Sequence, residues 1–263
     1  MAVEEPFANR ASCSSRTAPT TSSGHVIPAL VVLGRPSWEG ALDRNAFSLL
    51  LEHLDGLDLS RHVDSKGYCN ADPERVHTMV DEMPDVIKYP VKHGIEHNDI
   101  KPANIIIGPN SIKLTDFGLS AKGHQKGPYH GGTPGYVPLE ILQNRDPLLY
   151  PDHRDIFALT YTFLFALGWR KDPEHPPYDV LSLGSSGPEG EKLLKFVQDG
   201  WNEAENLAIF NIPLQDAFEI EAKDRMSPEE LCEAVKSIRV SNIKKAQAMA
   251  ATIRVTVAAS GDD

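Results

Sequence analysis

Residues 97–118 read H-N-D-I-K-P-A-N-I-I-I-G-P-N-S-I-K-L-T-D-F-G, and no other stretch restricts the fold as much. Two apolar runs, I-I-I and I-K-L, flank G-P-N-S, which is the composition of a β-hairpin and its turn. Such a hairpin presents Asn104 and Asp116 on adjacent strand ends. Asp99 and Lys101 lie just upstream of the first strand. Two carboxylates, an amide and an ammonium group are therefore tied to one short ribbon, where ordinary loop polars would scatter.

The bulk properties exclude several classes of protein. A chain of 263 residues suffices for one large domain or two small lobes sharing a cleft. Its formal net charge of −11 argues against general binding to nucleic acid or to anionic membranes, both of which need basic surface. Cys13, Cys69 and Cys232 are far apart and form no C-x-x-C, so they read as reduced thiols in a cytoplasmic-type compartment. His124 and His130 flank a glycine-rich loop, but neither has a Cys or carboxylate at zinc-ligand spacing. The start, M-A-V-E-E-P-F, is acidic and leads into no apolar h-region of a secretory signal. The longest apolar run, residues 156–169, is 14 residues long; it is too short to span a bilayer and reads as a buried helix.

Along the chain, residues 1–24 are low-complexity and expected to be disordered. Residues 26–33 and 46–54 read as two antiparallel strands joined by a loop. The segment L-D-G-L-D-L-S-R-H-V reads as a tight linker running into a short helix. Residues 74–92 are helical, with Val76, Met79, Val80, Met83, Val86 and Ile87 roughly on one face. Pro84 and Pro90 interrupt that pattern; an interior proline costs about 3 kcal/mol or more, so a kink or an early end is expected. Residues 119–135 read as a loop. Helices are expected at 154–168, 189–206 and 227–239, the last opened by S-P-E-E with Ser227 as its cap. Residues 242–263 are rich in small residues and expected to fray.

The chain resembles the eukaryotic protein kinases over roughly residues 26–240. H-N-D-I-K-P-A-N is similar to the family's catalytic loop H-R-D-L-K-P-E-N, and D-F-G (Asp116, Phe117, Gly118) to the metal-binding motif opening the activation segment. G-T-P-G-Y-V-P-L-E, Gly132 to Glu140, is similar to the motif that closes it. D-I-F-A-L and K-D-R-M-S-P-E-E-L are similar to the family's later landmarks. The implied fold is α+β and protein-kinase-like, with a mainly helical C-terminal lobe and a reduced β N-terminal lobe. The implied layout is a disordered segment at 1–24, remnant strands and hinge at 25–54, the C-lobe at 55–241 and a flexible tail at 242–263.

The resemblance also implies roles. Asp99 is the catalytic carboxylate. Lys101 after it is the form seen in Ser/Thr-directed members, and Thr133 bonds both. Asn104 and Asp116 hold Mg²⁺ against the phosphates of ATP. Glu52 to Leu54 form the hinge that receives adenine, and Asp58 stands where the family places a ribose contact. His97, Phe117 and Gly118 are structural. Asp155 accepts backbone N–H bonds from the catalytic loop, and Glu140 and Arg225 form a partly buried ion pair. The implied partners are ATP and a protein substrate or binding partner, with no nucleic acid and no membrane, and a monomer is expected.

Departures from the pattern carry equal information. Asn98 replaces the family's Arg beside the catalytic Asp, which pairs with a phosphorylated activation loop; an Asn cannot make that Arg–phosphate contact. With Ser120, Tyr129 and Thr133 as the only hydroxyls of the loop, and Thr133 already assigned, no switch by phosphorylation is expected there. No G-x-G-x-x-G precedes the hinge, and the first lysine of the chain is Lys66. The lysine that grips the α/β-phosphates is thus absent from its usual place, leaving a catalytically impaired binding module as the alternative reading. Small-molecule phosphotransferases of the aminoglycoside or choline kinase type share an Asp-x-x-x-x-Asn loop. Lys101, D-F-G and G-T-P-G-Y belong to the protein kinases instead.

Overall fold

The computed structural model describes residues 31–33, 48–50, 54–109, 111–122, 132–142, 152–172 and 188–260. The chain divides into two compact units, Met1–His53 and Leu54–Asp263. In the first, β1 (Val31–Leu33) pairs antiparallel with β2 (Ser48–Leu50), Val31 lying opposite Leu50. These strands fall within the two predicted from the apolar runs. The 1–24 segment, Glu52, His124, His130 and Tyr129 lie outside the described residues.

The second unit is mainly helical. Its first helix, α1 (Pro73–Lys92), opens on Asp72, whose carboxylate accepts the Glu74 N–H at 3.2 Å, with Pro73 at the first helical position. The expected early end at proline does not occur, because α1 runs through both Pro84 and Pro90. The compensation is burial: Val76, Met79, Val80, Met83 and Ile87 are all buried, and both proline rings are buried with them. Each fully buried apolar side chain of this size is worth about 1.5–3 kcal/mol, so the face together outweighs the backbone penalty.

A three-stranded antiparallel sheet stands beside α1 in the order β3 (Leu57–Asp58), β5 (Ile105–Ile107), β6 (Ile112–Leu114). β5 and β6 are the hairpin read from the sequence, with Ile105 opposite Leu114. β3 corrects the linker reading, since Leu57 and Asp58 pair with Ile107 and Ile106 before the chain enters a 3-10 turn at Leu59–Arg61. A second small ladder joins β4 (Ile95–Glu96) to β7 (Ala121–Lys122), placing a strand where the sequence suggested only loop. Strands of two residues are too short to show alternation.

The centre of the unit is α3 (Asp152–Ala166), which follows the short α2 (Leu139–Leu142). Every residue from Ile156 to Leu167 is buried. A helix apolar on all sides must be enclosed on all sides. Its two interior threonines satisfy themselves, Thr160 donating to the Ile156 carbonyl and Thr162 to that of Ala158, both at 2.8 Å. Phe157 stacks on Phe218 at 4.6 Å, and Tyr161 on Phe196, in α4 (Pro188–Leu207), at 5.4 Å.

α5 (Pro228–Val235) carries the capping box predicted from S-P-E-E. The Glu230 N–H donates to Ser227 Oγ at 3.2 Å and the Ser227 N–H to Glu230 Oε2 at 2.8 Å. The fraying tail expected over 242–263 is corrected: Val240–Ser260 forms a helix, α6. Ile243, Ala246 and Ala250 are buried on one side of it, and Gln247 Nε2 donates to the carbonyls of Ala71 and Ala166 at 3.2 and 3.3 Å. Arg254 lies 4.4 Å above the Tyr68 ring and donates to the Gly168 carbonyl. Among the described residues, no helix is long and apolar enough to cross a membrane.

Candidate active site

The site is built where the turn after β4 meets the base of the β5–β6 hairpin. His97 and Asn98 reach it because the Asp155 carboxylate, one turn into α3, accepts both their backbone N–H groups at 2.7 and 2.9 Å. Asp155 is 1% exposed. Burial pushes its carboxyl up, against the pull of His97, the two N–H bonds and Arg154. The His97 ring bonds the Thr115 carbonyl at 3.0 Å and meets Phe117 edge-on at 4.6 Å. Asn98 adopts φ 69°, the left-handed region that an Asn tolerates better than most residues.

Asp99 follows, almost fully buried, and every oxygen of its carboxylate is engaged. Oδ1 accepts the Thr133 N–H at 3.0 Å and the Thr133 hydroxyl at 2.8 Å. Oδ2 accepts Asn104 Nδ2 at 3.1 Å and lies 3.2 Å from Lys101 Nζ. Lys101 also donates to Thr133 Oγ1 at 2.7 Å, closing a ring of three side chains. Burial works against the charged form, but the bonds from Thr133, Lys101 and Asn104 together outweigh it and hold the Asp99 carboxyl below its ordinary range. Asp99 is thus an ionised acceptor, fixed in orientation, with a cation beside it.

Asn104 sits in the 3-10 turn Pro102–Asn104 that leads into β5. Its amide nitrogen is committed to Asp99, with the Asp99 carbonyl accepting at 2.8 Å. The side chain's remaining function is a carbonyl oxygen, the hard donor that Mg²⁺ prefers. The hairpin delivers Asp116 from the other strand: Thr115 donates its N–H and hydroxyl to the Asn104 carbonyl at 2.8 and 3.1 Å. Asp116 is exposed at φ 60°, a strained backbone for a non-glycine residue, with Oδ1 accepting the Gly118 N–H at 3.2 Å. An amide oxygen and an exposed carboxylate are hard oxygen donors of the kind that would hold Mg²⁺. Among the described residues, no cluster of three His, Cys, Asp or Glu side chains forms a metal cage of its own.

The far wall of the unit is tied by Glu140 and Arg225. Arg225 NH1 meets Glu140 Oε1 at 2.8 Å, and the Arg225 side chain is fully buried. The guanidinium also donates to the carbonyls of His153, Glu219 and Ile220 and lies 5.0 Å above the Phe157 ring. Those extra acceptors are what make a buried arginine tolerable.

The protein kinase domain family matches residues 37–173, just over half of the chain and all of the site's loops. The chain belongs to the protein kinase family. Kinase relatives include an Aurora kinase of Eremothecium gossypii, 36% identical over 129 residues, or 46% of this chain and 34% of the relative. The serine/threonine-protein kinase RAD53 of Saccharomyces cerevisiae is 34% identical over 116 residues, 42% of this chain and 14% of the relative. CBL-interacting protein kinase 1 of Oryza sativa is 31% identical over 113 residues, 41% of this chain and 24% of the relative. The chain spans about a third or less of the length of these curated relatives.

Of the residues singled out by kinase resemblance, Asp99, Lys101, Asn104 and Thr133 converge in direct contact. The hairpin brings Asp116 to the same end of the sheet. Leu54 is partly buried. Asp58 is committed to its own turn, accepting from Ser60 Oγ and, at 2.8 Å, from Arg61 Nε. The kinase pattern missed Arg154, which donates to the Asn98 carbonyl at 3.0 Å. Its position one residue before Asp155 was the only signal available.

Proposed function

We propose that this kinase-family chain transfers a phosphoryl group from Mg²⁺-bound ATP to a Ser or Thr hydroxyl of a protein substrate. The observation carrying this reading is the Asp99 carboxylate, held ionised and oriented by Thr133, Lys101 and Asn104 at once. When bound, Mg²⁺ and ATP supply the electrophilic phosphoryl group and part of the charge neutralisation on it. Asn104 and Asp116 are the residues that would hold the ion. Asp99 orients the incoming hydroxyl and takes its proton, with the reacting atoms set by position rather than by encounter. Lys101 offers positive charge where negative charge develops.

Radiolabel transfer from Mg·ATP to a generic Ser/Thr protein substrate tests the reading, with Asp99→Asn as the control. The expected result is transfer by the wild type and a loss of at least about a hundredfold in the variant, the usual scale of a proton-transfer group. Full activity in Asp99→Asn overturns it.

A second reading is favoured by one specific observation: no lysine precedes Lys66 and no G-x-G-x-x-G precedes the hinge. On that reading the chain is a binding module that retains the nucleotide site without turnover. A melting-temperature rise with Mg·ATP and no label transfer selects it.

A further inference from the structure

We propose that Arg154 is a positioning residue whose guanidinium locks the catalytic loop to the closing end of the activation segment without any phosphate. The catalytic consequence rests on the phosphoryl-transfer reading above; the latch itself does not.

Asn98 stands where the family pattern has an arginine. Three of its polar groups are tied to two elements, α3 and the segment after D-F-G. Its N–H is held by Asp155 at 2.9 Å, its amide nitrogen donates to the Leu119 carbonyl at 3.3 Å, and its own carbonyl accepts from Arg154 NH2 at 3.0 Å. Leu119 belongs to the segment just after D-F-G, so Asn98 fastens the opening end of the activation segment.

Arg154 packs against the closing end at Gly132 while it bonds the Asn98 carbonyl. Gly132 has φ 106°, and a Cβ there would lie 2.5 Å from Arg154 NH2 and 2.8 Å from the Asn98 carbonyl. Only a glycine lets these three groups meet, both for its backbone and for its missing side chain. The next residue is Thr133, whose N–H and hydroxyl both bind Asp99. One contiguous chain of contacts thus runs from Arg154 through Asn98 and Gly132 to Thr133 and the Asp99 carboxylate. In the family pattern the arginine beside the catalytic Asp waits for a phosphate. Here a cation comes from α3 instead, and one of its acceptors is a backbone carbonyl that is always present. The arrangement needs no modification to form.

The test uses the full chain as wild type, Arg154→Met and Arg154→Lys, each before and after phosphatase treatment. Amide exchange without nucleotide reads the latch directly. Arg154→Met is expected to speed exchange about tenfold or more at residues 97–101 and 132–133, while α1 and α5 stay protected, as befits a local opening. Arg154→Lys, which keeps a donor of shorter reach, restores part of the protection. Phosphatase treatment changes nothing. Where transfer is measured, Arg154→Met lowers kcat about tenfold with KM for ATP within about twofold, because the latch orients Asp99 and touches no nucleotide phosphate. Exchange in Arg154→Met within twofold of wild type, or phosphatase treatment alone loosening the loop, overturns the latch. If Arg154→Met does not fold, Arg154→Lys decides: exchange at 97–101 and 132–133 faster than in the wild type supports the latch, and exchange unchanged from the wild type overturns it. Failure of the wild type to bind Mg·ATP sinks the nucleotide reading only, since the exchange result is obtained without nucleotide.

Discussion

At the scale of single residues, Asp99 concentrates the electrostatics of the site. Its folded-state pKa lies below the ordinary value, so its contribution to stability is fully present above the unfolded value of about 3.9 and is lost as pH falls through the folded one. Thr133→Ala removes the hydroxyl that donates to Oδ1 and leaves only the backbone N–H. The Asp99 titration, followed by its carboxyl carbon resonance, is expected to move upward in that variant, and acid unfolding to begin at higher pH. An unmoved titration would refute the part assigned to Thr133. Arg225 is the other high-stakes residue. Its fully buried cation loses its anionic partner in Glu140→Ala, at a cost of about 3 kcal/mol, the low end for breaking a buried pair because backbone carbonyls still accept from it. Urea unfolding measures that cost. Asp99, Lys101, Asn104 and Thr133 were legible because their spacing is local or tied to a distinctive motif. Arg154 and Gly132 were not: their contact depends on how α3 approaches a loop about twenty residues earlier, and no periodicity encodes that approach.

At the scale of elements, agreement follows how locally each element is determined. The capping box of α5 is a four-residue affair, so S-P-E-E suffices to name it. Ser227→Ala is expected to cost about 1 kcal/mol, the typical value of a lost N-cap, in a thermal or urea melt. α1 and α6 are settled by tertiary packing instead. Two prolines argue against a continuous α1 on propensity alone, and burial of its inner face overrides them. In α6 the run A-Q-A-M-A-A suggests low complexity, yet Ala is the best helix former and here needs only a modest face to dock. Ile243→Ala removes the largest side chain of that face and is expected to destabilise by about 2–5 kcal/mol, the range for emptying a core site of this kind. A change below 1 kcal/mol would mean that α6 is not part of the cooperative unit.

At the scale of the whole molecule, the buried apolar cluster runs from Leu59 to Ala246 among the described residues, all of it inside the second unit. A chain beginning at Leu54 is expected to unfold in one cooperative transition by calorimetry. Two separate transitions in that shortened chain would contradict a single core. The helical character of this unit, its hairpin and the family it belongs to could all be read from sequence. The short ladders β3 and β4–β7 could not, because two-residue strands exist only through their partners.

The enclosure of α3 has one more consequence. Asp155, which suspends the catalytic loop, is planted in a helix that cannot shift unless the surrounding core comes apart. On the phosphoryl-transfer reading, loss of label transfer on a temperature ramp should therefore coincide with loss of helical ellipticity, with no inactivated but still folded species between them.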